Sequence, residues 1–412
     1  MISVFLYSFS VVLLIIANVF IAKKLFFRWQ KFCLIGISCL LLASTIYHTT
    51  YYGKPVPKVA IDQEGFYYPK EVCKGYQFLD QKLWKKFLIL AGSIISFHRN
   101  SLIYPIFYWP IKDIFGPKYF LEGFFFACIL NAILFLFSVY LLLKIFSYFK
   151  VSKHFLWLCL FIFLQPFMIA RNAIPLANSL TVFSLILFFY TIIFSKRLYL
   201  KILCCFLMFL AHKTLWLPSI VGLIYLFLKE KSFVKWPIRV LIILIFLTWV
   251  IWSNLTVSKN DIRLAENYFS GNSYISPAPI YKKILNFYFA PLNTNLNSFF
   301  YKTVEGSCLG WIYAIYINFI VFFMSIKTFF SIKNYIYLTH QMKQVVNVSL
   351  FFIVSFFLEG VRLSNYLNAN RHATNTLIVW IFVMLALESG KNVRKIRGNS
   401  PNRSQIYLEV VD

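Results

Sequence analysis

The most informative segment of the chain, from Phe167 to Pro218, reads FMIARNAIPLANSLTVFSLILFFYTIIFSKRLYLKILCCFLMFLAHKTLWLP. It contains two apolar runs, Ile174–Phe194 and Tyr199–Ala211, joined by the basic link Ser195-Lys196-Arg197. An apolar run of about 20 residues spans the hydrocarbon of a bilayer as a helix. Because the link is short, we expect the two runs to form a hairpin whose open ends lie at the same membrane face.

Three cationic or titratable residues mark these open ends. Arg171 precedes the first run, and His212 and Lys213 follow the second. We therefore predict a site at this face, with Arg171 and Lys213 binding substrate and His212 acting as a general base or a phosphate donor. The alternative for His212 is a polar cap at the membrane interface, and the alternative for the cations is contact with lipid headgroups.

Composition places the whole chain in a membrane. Of its 412 residues, 60% are hydrophobic and 20% aromatic, with 48 Phe, and its mean hydropathy is +0.71, whereas soluble domains are about 45–50% apolar. The apolar runs are continuous rather than alternating, which disfavours a β-barrel. The predicted fold class is an all-α polytopic integral membrane protein with about eleven transmembrane helices.

Charge and cysteine content exclude several functions. The net charge is +27, from 41 basic and 14 acidic residues. We assign most of this charge to cytoplasmic loops and expect no nucleic-acid partner, because no basic and aromatic module stands apart from the spans. The eight cysteines include no CxxC pair, so zinc and thioredoxin-like chemistry lack support. Walker, GxGxxG, HExxH and GxSxG motifs are also absent, which argues against soluble nucleotide chemistry.

The spans follow one another with few long interruptions. In chain order they are predicted at Val4–Ile21, Phe32–Ile46, Tyr119–Leu143, Phe155–Ala170, the two runs of the hairpin, Leu215–Leu228, Val240–Ile251, Leu309–Ile326, Val345–Val361 and Leu377–Leu387. Two shorter apolar segments, Phe87–Phe97 and Leu102–Ile111, are expected to form a re-entrant or interfacial pair. The prediction is one transmembrane domain over residues 1–390 with external loops 47–118 and 254–305, followed by a basic, disordered cytoplasmic tail over 391–412.

The distribution of Lys and Arg also predicts which side of the membrane each loop faces. Because cytoplasmic loops collect Lys and Arg, the N-terminus is expected outside and the C-terminus in the cytoplasm. The short connections assigned to the outside carry four cations: Arg171, Lys213, Arg362 and Arg371. The planar forks of the three arginines suit phosphate oxygens, and lipid-linked diphosphates are anions of bilayers. We expect these arginines to bind such a group, with Arg362 and Arg371 in a short external loop over Leu363–Thr374 and its preceding helix end.

Further candidates lie in the first external loop. Asp62 and Glu64 could deprotonate an acceptor hydroxyl or bind a divalent metal, with a solvated loop charge as the alternative. His98 and Arg99, at the tip of the re-entrant pair, are candidates for substrate binding. No cofactor is expected apart from the divalent metal that a carboxylate could hold.

The order of these residues resembles the EpsG/Wzy group of bacterial polysaccharide polymerases. The acid of the first loop is followed by Phe66-Tyr67-Tyr68, a span ends in Arg171-Asn172-Ala173-Ile174-Pro175, and Ala211-His212-Lys213-Thr214 follows the basic link. That group has a pattern similar to iRqaiA…fHks, with Asn172 here standing where Gln is usual, and an Arg…Tyr pair near its last spans that Arg362 and Tyr366 match. The resemblance adds Tyr366 to the substrate-binding residues.

The resemblance implies a bacterial inner-membrane enzyme that joins oligosaccharide repeat units carried on undecaprenyl diphosphate, as in O-antigen, capsule or exopolysaccharide synthesis. Its partners would be the polyprenyl-linked oligosaccharide and membrane lipids, and could include a chain-length regulator protein. The stretch Tyr104–Leu143, with Phe115-Gly116 before a long span, also resembles GT-C glycosyltransferases, which use polyprenyl-phosphate sugars. A GT-C transferase is therefore one alternative, and a flippase or transporter of a lipid-linked glycan is another.

Overall fold

The structure is a computed structural model that describes residues 2–25, 27–52, 111, 114–115, 118–149, 151–164, 168–169, 172–173, 178–229, 240–241, 243–244, 308–363 and 366–399. Within these ranges the chain is helical and contains no strand. The helices are α1 (Ile2–Lys23), α2 (Arg28–Tyr52), α3 (Phe120–Tyr148), α4 (Lys153–Phe163), α5 (Asn178–Phe194), α6 (Leu198–Ala211), α7 (Trp216–Lys229), α8 (Cys308–Ser331), α9 (His340–Leu363) and α10 (Tyr366–Asn399). Two 3₁₀ helices, Lys213–Leu215 and Ile332–Tyr337, complete the description.

Four of the described helices are long and apolar enough to cross a bilayer. They cover Ile2–Lys23, Arg28–Tyr47, Leu121–Tyr148 and Asn375–Arg394. Shorter apolar helices are Lys153–Phe163, Ser179–Phe194, Leu198–Ala211 and Trp216–Lys229. The expectation of an all-α membrane protein is therefore confirmed at this level, while the count of about eleven spans stays a prediction. The re-entrant pair and the span at Val240–Ile251 lie largely outside the described residues.

The chain divides into two compact units that interleave along the sequence. The first contains residues 1–143, 164–191 and 197–278, and the second contains residues 144–163, 192–196 and 279–412.

In the first unit, α1 packs against α2 and α3 through a few polar and aromatic contacts. The Asn18 amide hydrogen-bonds the Ser38 hydroxyl across the α1–α2 pair, as expected of polar side chains between membrane helices. The Tyr7 and Phe125 rings meet edge to face with centroids 5.0 Å apart. Only 17% of the α1 span is buried, so most of this helix presents apolar side chains to its surroundings.

Helices α5, α6 and α7 follow one another along the chain of the first unit. The side chain of Thr191 in α5 lies close enough to Cys204 in α6 to interact with its thiol, so the chain turns back after the link that joins α5 to α6. Helix α6 then packs against α7. At 1.5 Å per residue, α5 and α6 are about 26 Å and about 21 Å long, so in an antiparallel pair the start of α5 and the end of α6 would lie at the same end. The hairpin with its open ends at one membrane face stays a prediction.

In the second unit, α10 is the central helix. It packs against α8, α9, α4 and the second 3₁₀ helix, and 78% of its span is buried. All residues from Leu377 to Leu387 are buried, and a helix that is apolar on every face is expected to be enclosed by others.

Three predicted helix ends in the first half of the chain differ from the structure by five residues or more, and one of them is the end of α3, at Tyr148 rather than Leu143. Helix α2 continues six residues past Ile46 to Tyr52, because the intervening residues contain no Pro or Gly and Gly53 supplies a stop only afterwards. The predicted external loop therefore begins later than residue 47. The span predicted to reach Ala170 ends as a helix at Phe163. Pro166 explains this end, since proline breaks the backbone hydrogen bonding of a helix and restricts the residue before it.

The bounds of α10 show that two predictions were wrong, one for the last external loop and one for the C-terminal tail. The polar sequence predicts a loop over Leu363–Thr374, but α9 ends at Leu363 and α10 begins at Tyr366. The polar residues 366–374 that suggested a loop include no Pro or Gly. They form the first turns of α10, whose residues 377–387 are buried. The tail was expected to be disordered from residue 391, whereas α10 continues to Asn399, where Pro401 follows shortly after.

Candidate functional site

The connection between α6 and α7, together with one residue of each helix, covers residues 211–216. We call these residues the His212 turn. His212 is the C-cap of α6, with extended backbone angles of φ −164° and ψ 145°, and it precedes the 3₁₀ helix Lys213–Leu215. Its ring Nδ1 accepts a hydrogen bond from the Thr214 backbone N–H at 3.2 Å and lies 2.9 Å from the Thr214 hydroxyl. The imidazole thus caps the 3₁₀ helix, satisfying an N–H group that a helix start leaves without a backbone partner.

This cap determines which hydrogen bonds the His212 ring can offer. Because Nδ1 acts as an acceptor, the neutral ring carries its proton on Nε2. The ring therefore fits the role of hydrogen-bond donor to a phosphate oxygen better than that of general base, since the basic nitrogen is already engaged. His212 is 2% exposed and Thr214 is fully buried. In such surroundings a hydrogen bond to an anion is stronger than in water.

Aromatic packing holds the His212 turn in place. The Trp216 indole N–H donates to the Phe209 carbonyl at 2.9 Å, and the two rings stack with centroids 5.4 Å apart. The Leu215 N–H donates to the His212 carbonyl at 2.9 Å. Backbone and ring contacts on both sides of His212 therefore fix its orientation, as a preorganised polar group requires.

A second buried polar cluster, the Asn172 cluster, lies just before α5. It consists of Thr45, Asn172, Ala173 and Ser179. The fully buried Asn172 amide donates to the Met168 carbonyl at 2.6 Å, and its Oδ1 accepts from the Ser179 hydroxyl at 2.8 Å. The Thr45 hydroxyl of α2 donates to the Ala173 carbonyl at 3.2 Å. These bonds satisfy the polar groups of a chain segment that passes between apolar helices.

The predicted α5–α6 hairpin would bring the Asn172 cluster and the His212 turn to the same end. Asn172 and Ala173 precede the first residue of α5, and His212 follows the last residue of α6. An antiparallel course of the two helices, as the short link predicts, brings these points together at one end. Arg171, whose neighbour Asn172 is held by the cluster, lies outside the described residues.

The other predicted site residues divide into two groups. For Lys213, Arg362, Tyr366 and Arg371 the structure describes the helical backbone only. Arg362 is the penultimate residue of α9, and Arg371 is the sixth of α10, so both backbone positions lie near the α9–α10 connection of the second unit. Asp62, Glu64, His98 and Arg99 lie outside the described residues, and their roles stay predictions.

Sequence reasoning missed several residues that build these two sites. Thr45, Ser179 and Thr214 were not singled out, and Asn172 was noted only as a departure from a resemblance. Lys201, which is 4% exposed within α6, is a further buried polar residue that belongs to neither site. The available signal was a polar side chain inside or beside an apolar run, which is costly in a membrane unless it has a partner.

Neither metal sites nor comparisons add to this geometry. Among the described residues, no group of three or more His, Cys, Asp or Glu side chains could hold a metal ion. No protein-family model, no curated protein and no solved structure matches the chain.

Proposed function

We propose that this protein is a membrane glycosyltransferase that joins oligosaccharide repeat units carried on undecaprenyl diphosphate. The observation that carries the proposal is the buried His212 ring, which is held with Nδ1 as an acceptor directly after α6; in the sequence, Arg171 precedes the other helix of the predicted hairpin. A neutral imidazole donor and a guanidinium both suit a diphosphate that gains negative charge as its sugar leaves. The sequence resemblance to polysaccharide polymerases supplies the substrate class.

Each named group has one role in the proposed transfer. The acceptor hydroxyl attacks the anomeric carbon of the lipid-linked sugar, and the bond from that carbon to the diphosphate oxygen breaks. Arg171 and the His212 Nε2–H stabilise the charge left on the diphosphate, with Lys213 adding a further cation. Asp62 or Glu64 accepts the proton of the attacking hydroxyl. Arg362, Arg371, Tyr366, His98 and Arg99 are proposed to bind substrate, and each is tested by its own alanine variant.

The test is polymer formation by membranes that contain the full chain and an undecaprenyl-diphosphate-linked oligosaccharide. We expect the native protein to yield a ladder of products on a gel. Arg171→Ala should reduce polymerisation by about 100-fold or more, because it removes a charged contact made to the leaving group. Arg171→Lys should recover part of the activity, since it keeps the charge but loses the planar fork.

The matched control is Arg197→Ala, which removes the same residue type at the opposite end of the hairpin. Arg197 is exposed and donates to the Tyr199 hydroxyl at 2.9 Å, so this variant should polymerise normally. A normal ladder from Arg171→Ala would remove Arg171 from the mechanism. A product lengthened by only one sugar would select a single-addition transferase, and transport without a new glycosidic bond would select a flippase.

A further inference from the structure

The connection between α8 and α9 combines three lysines with several large apolar side chains. The segment from Ile326 to Lys343 reads IKTFFSIKNYIYLTHQMK and contains no Asp or Glu. It includes the end of α8, the 3₁₀ helix Ile332–Tyr337 and the start of α9. We call this segment the basic corner.

The apolar side chains of the basic corner are unusually exposed. Phe329, Phe330 and Ile336 are 75%, 69% and 71% exposed. They continue the exposed face of α8, where Phe319 and Phe323 stack with centroids 6.5 Å apart. Because α8 is an apolar helix of 24 residues, a continuous outward face of this kind fits acyl chains.

The lysines of the basic corner stand beside this apolar face. Lys327 Nζ lies 4.3 Å from the centroid of the Phe155 ring, and Lys343 Nζ lies 5.7 Å from the centroid of the Tyr335 ring. Lys333 is exposed on the 3₁₀ helix. A ring contact restricts a lysine without supplying a counter-ion, so a lysine in such a contact can still bind an anionic partner.

One side of the 3₁₀ helix Ile332–Tyr337 packs against the protein, and the other side is exposed. Asn334 and Leu338 are buried, and the Tyr335 hydroxyl donates to Asn347 Oδ1 at 2.9 Å. With three residues per turn, Lys333 and Ile336 lie on the same side of a 3₁₀ helix. A cationic and an apolar side chain therefore project together from a fixed support.

We propose that the basic corner is a docking surface for anionic phospholipid, with Lys327, Lys333 and Lys343 contacting headgroups and Phe329, Phe330 and Ile336 contacting acyl chains. Charge complementarity favours an anionic partner, because the segment carries cations and no acid. The exposed apolar face favours a lipid over an acidic protein, since a lysine surface alone would serve the latter. This inference is independent of the proposed glycosyltransferase activity.

The experiment titrates the detergent-solubilised full chain with phosphatidylglycerol or phosphatidylcholine. Native mass spectrometry counts the retained lipids, and the melting temperature reports stabilisation. We expect phosphatidylglycerol to bind more tightly and to raise the melting temperature more. Each of Lys333→Gln and Lys343→Gln should weaken phosphatidylglycerol binding by about 5-fold, and the double variant by about 25-fold.

Two control variants remove the same charge elsewhere. Lys118→Gln removes an exposed lysine whose Nζ lies 5.5 Å from the centroid of the Tyr119 ring, and Lys391→Gln removes a lysine already paired with Glu388 at 3.0 Å. Neither should change binding. The proposal is overturned if the two lipids bind equally, if either control matches the Lys333 and Lys343 variants, or if inorganic phosphate or a poly-glutamate peptide stabilises the protein as strongly as phosphatidylglycerol.

Discussion

Gly390 of α10 lies directly against Asn334 of the 3₁₀ helix in the basic corner. A Cβ atom at Gly390 would stand 2.7 Å from the Asn334 carbonyl oxygen and 2.8 Å from Leu338 Cδ2. The absence of a side chain at Gly390 is therefore what allows α10 to approach the corner so closely. This close approach requires a glycine at a position within a long helix, where glycine carries a conformational cost.

Gly390→Ala should consequently destabilise the protein. The carbonyl oxygen belongs to the backbone and cannot move aside as a flexible side chain could, so we expect a loss of about 1–3 kcal/mol. Gly36→Ala is the matched control, because a Cβ there would meet nothing within 4 Å, and it should stabilise α2 by about 0.5–1 kcal/mol. Thermal melts in detergent measure both, and equal shifts in the two variants would contradict the close approach.

Replacing His212 should separate its capping role from its proposed chemical role. His212→Ala removes the acceptor of the Thr214 N–H and should cost about 1 kcal/mol of stability. His212→Asn supplies another capping oxygen, since Asn is among the best N-cap residues, and should preserve the melting temperature. We expect both variants to lose polymerisation.

The outcome for His212→Asn decides between the two roles. Full activity at a native melting temperature would mean that the imidazole serves only as a cap. Thr214→Ser is a further control, because it keeps both the hydroxyl and the backbone N–H that contact the ring, and it should retain activity.

The Asn172 cluster should depend on the pairing of Asn172 with Ser179. Ser179→Ala leaves the buried Asn172 Oδ1 without the hydroxyl that donates to it at 2.8 Å, which should cost about 1–3 kcal/mol. A double-mutant cycle of Ser179→Ala with Asn172→Leu measures the interaction free energy between the two side chains. We expect Ser179→Ala to destabilise the protein less when Asn172→Leu is already present. Purely additive losses in melts of the four proteins would show that the two side chains do not act as a pair.

The basic link of the α5–α6 hairpin should face the cytoplasm, and the His212 turn should face the opposite side. In a cysteine-free background, Lys196→Cys should react with a membrane-impermeant maleimide only in inside-out vesicles, because short cationic loops remain cytoplasmic. Lys213→Cys is the counterpart and should react only from the other side. Labelling of both positions from one side would contradict the predicted hairpin orientation.

Much of the helical pattern could be predicted from the sequence. The runs that became α1, α3, α5, α6 and α7 were located to within a few residues, because the length and hydrophobicity of an apolar run are local properties. Helix ends were less predictable where polar residues continued a helix, as at Tyr366 and beyond residue 391. There the helix depends on the packing of α10 against its neighbours, which composition does not reveal.

For the candidate site, the sequence predicts that Arg171 and His212 flank a hairpin, since a short link returns the chain to the same end. The folded structure was needed to show that His212 caps the following 3₁₀ helix and that Thr45 and Ser179 hold the segment containing Asn172. The physical reason is that a hydrogen bond requires particular atoms at about 3 Å. Thr45 and Ala173 are 128 residues apart, and no local pattern of residues specifies that such a pair will meet.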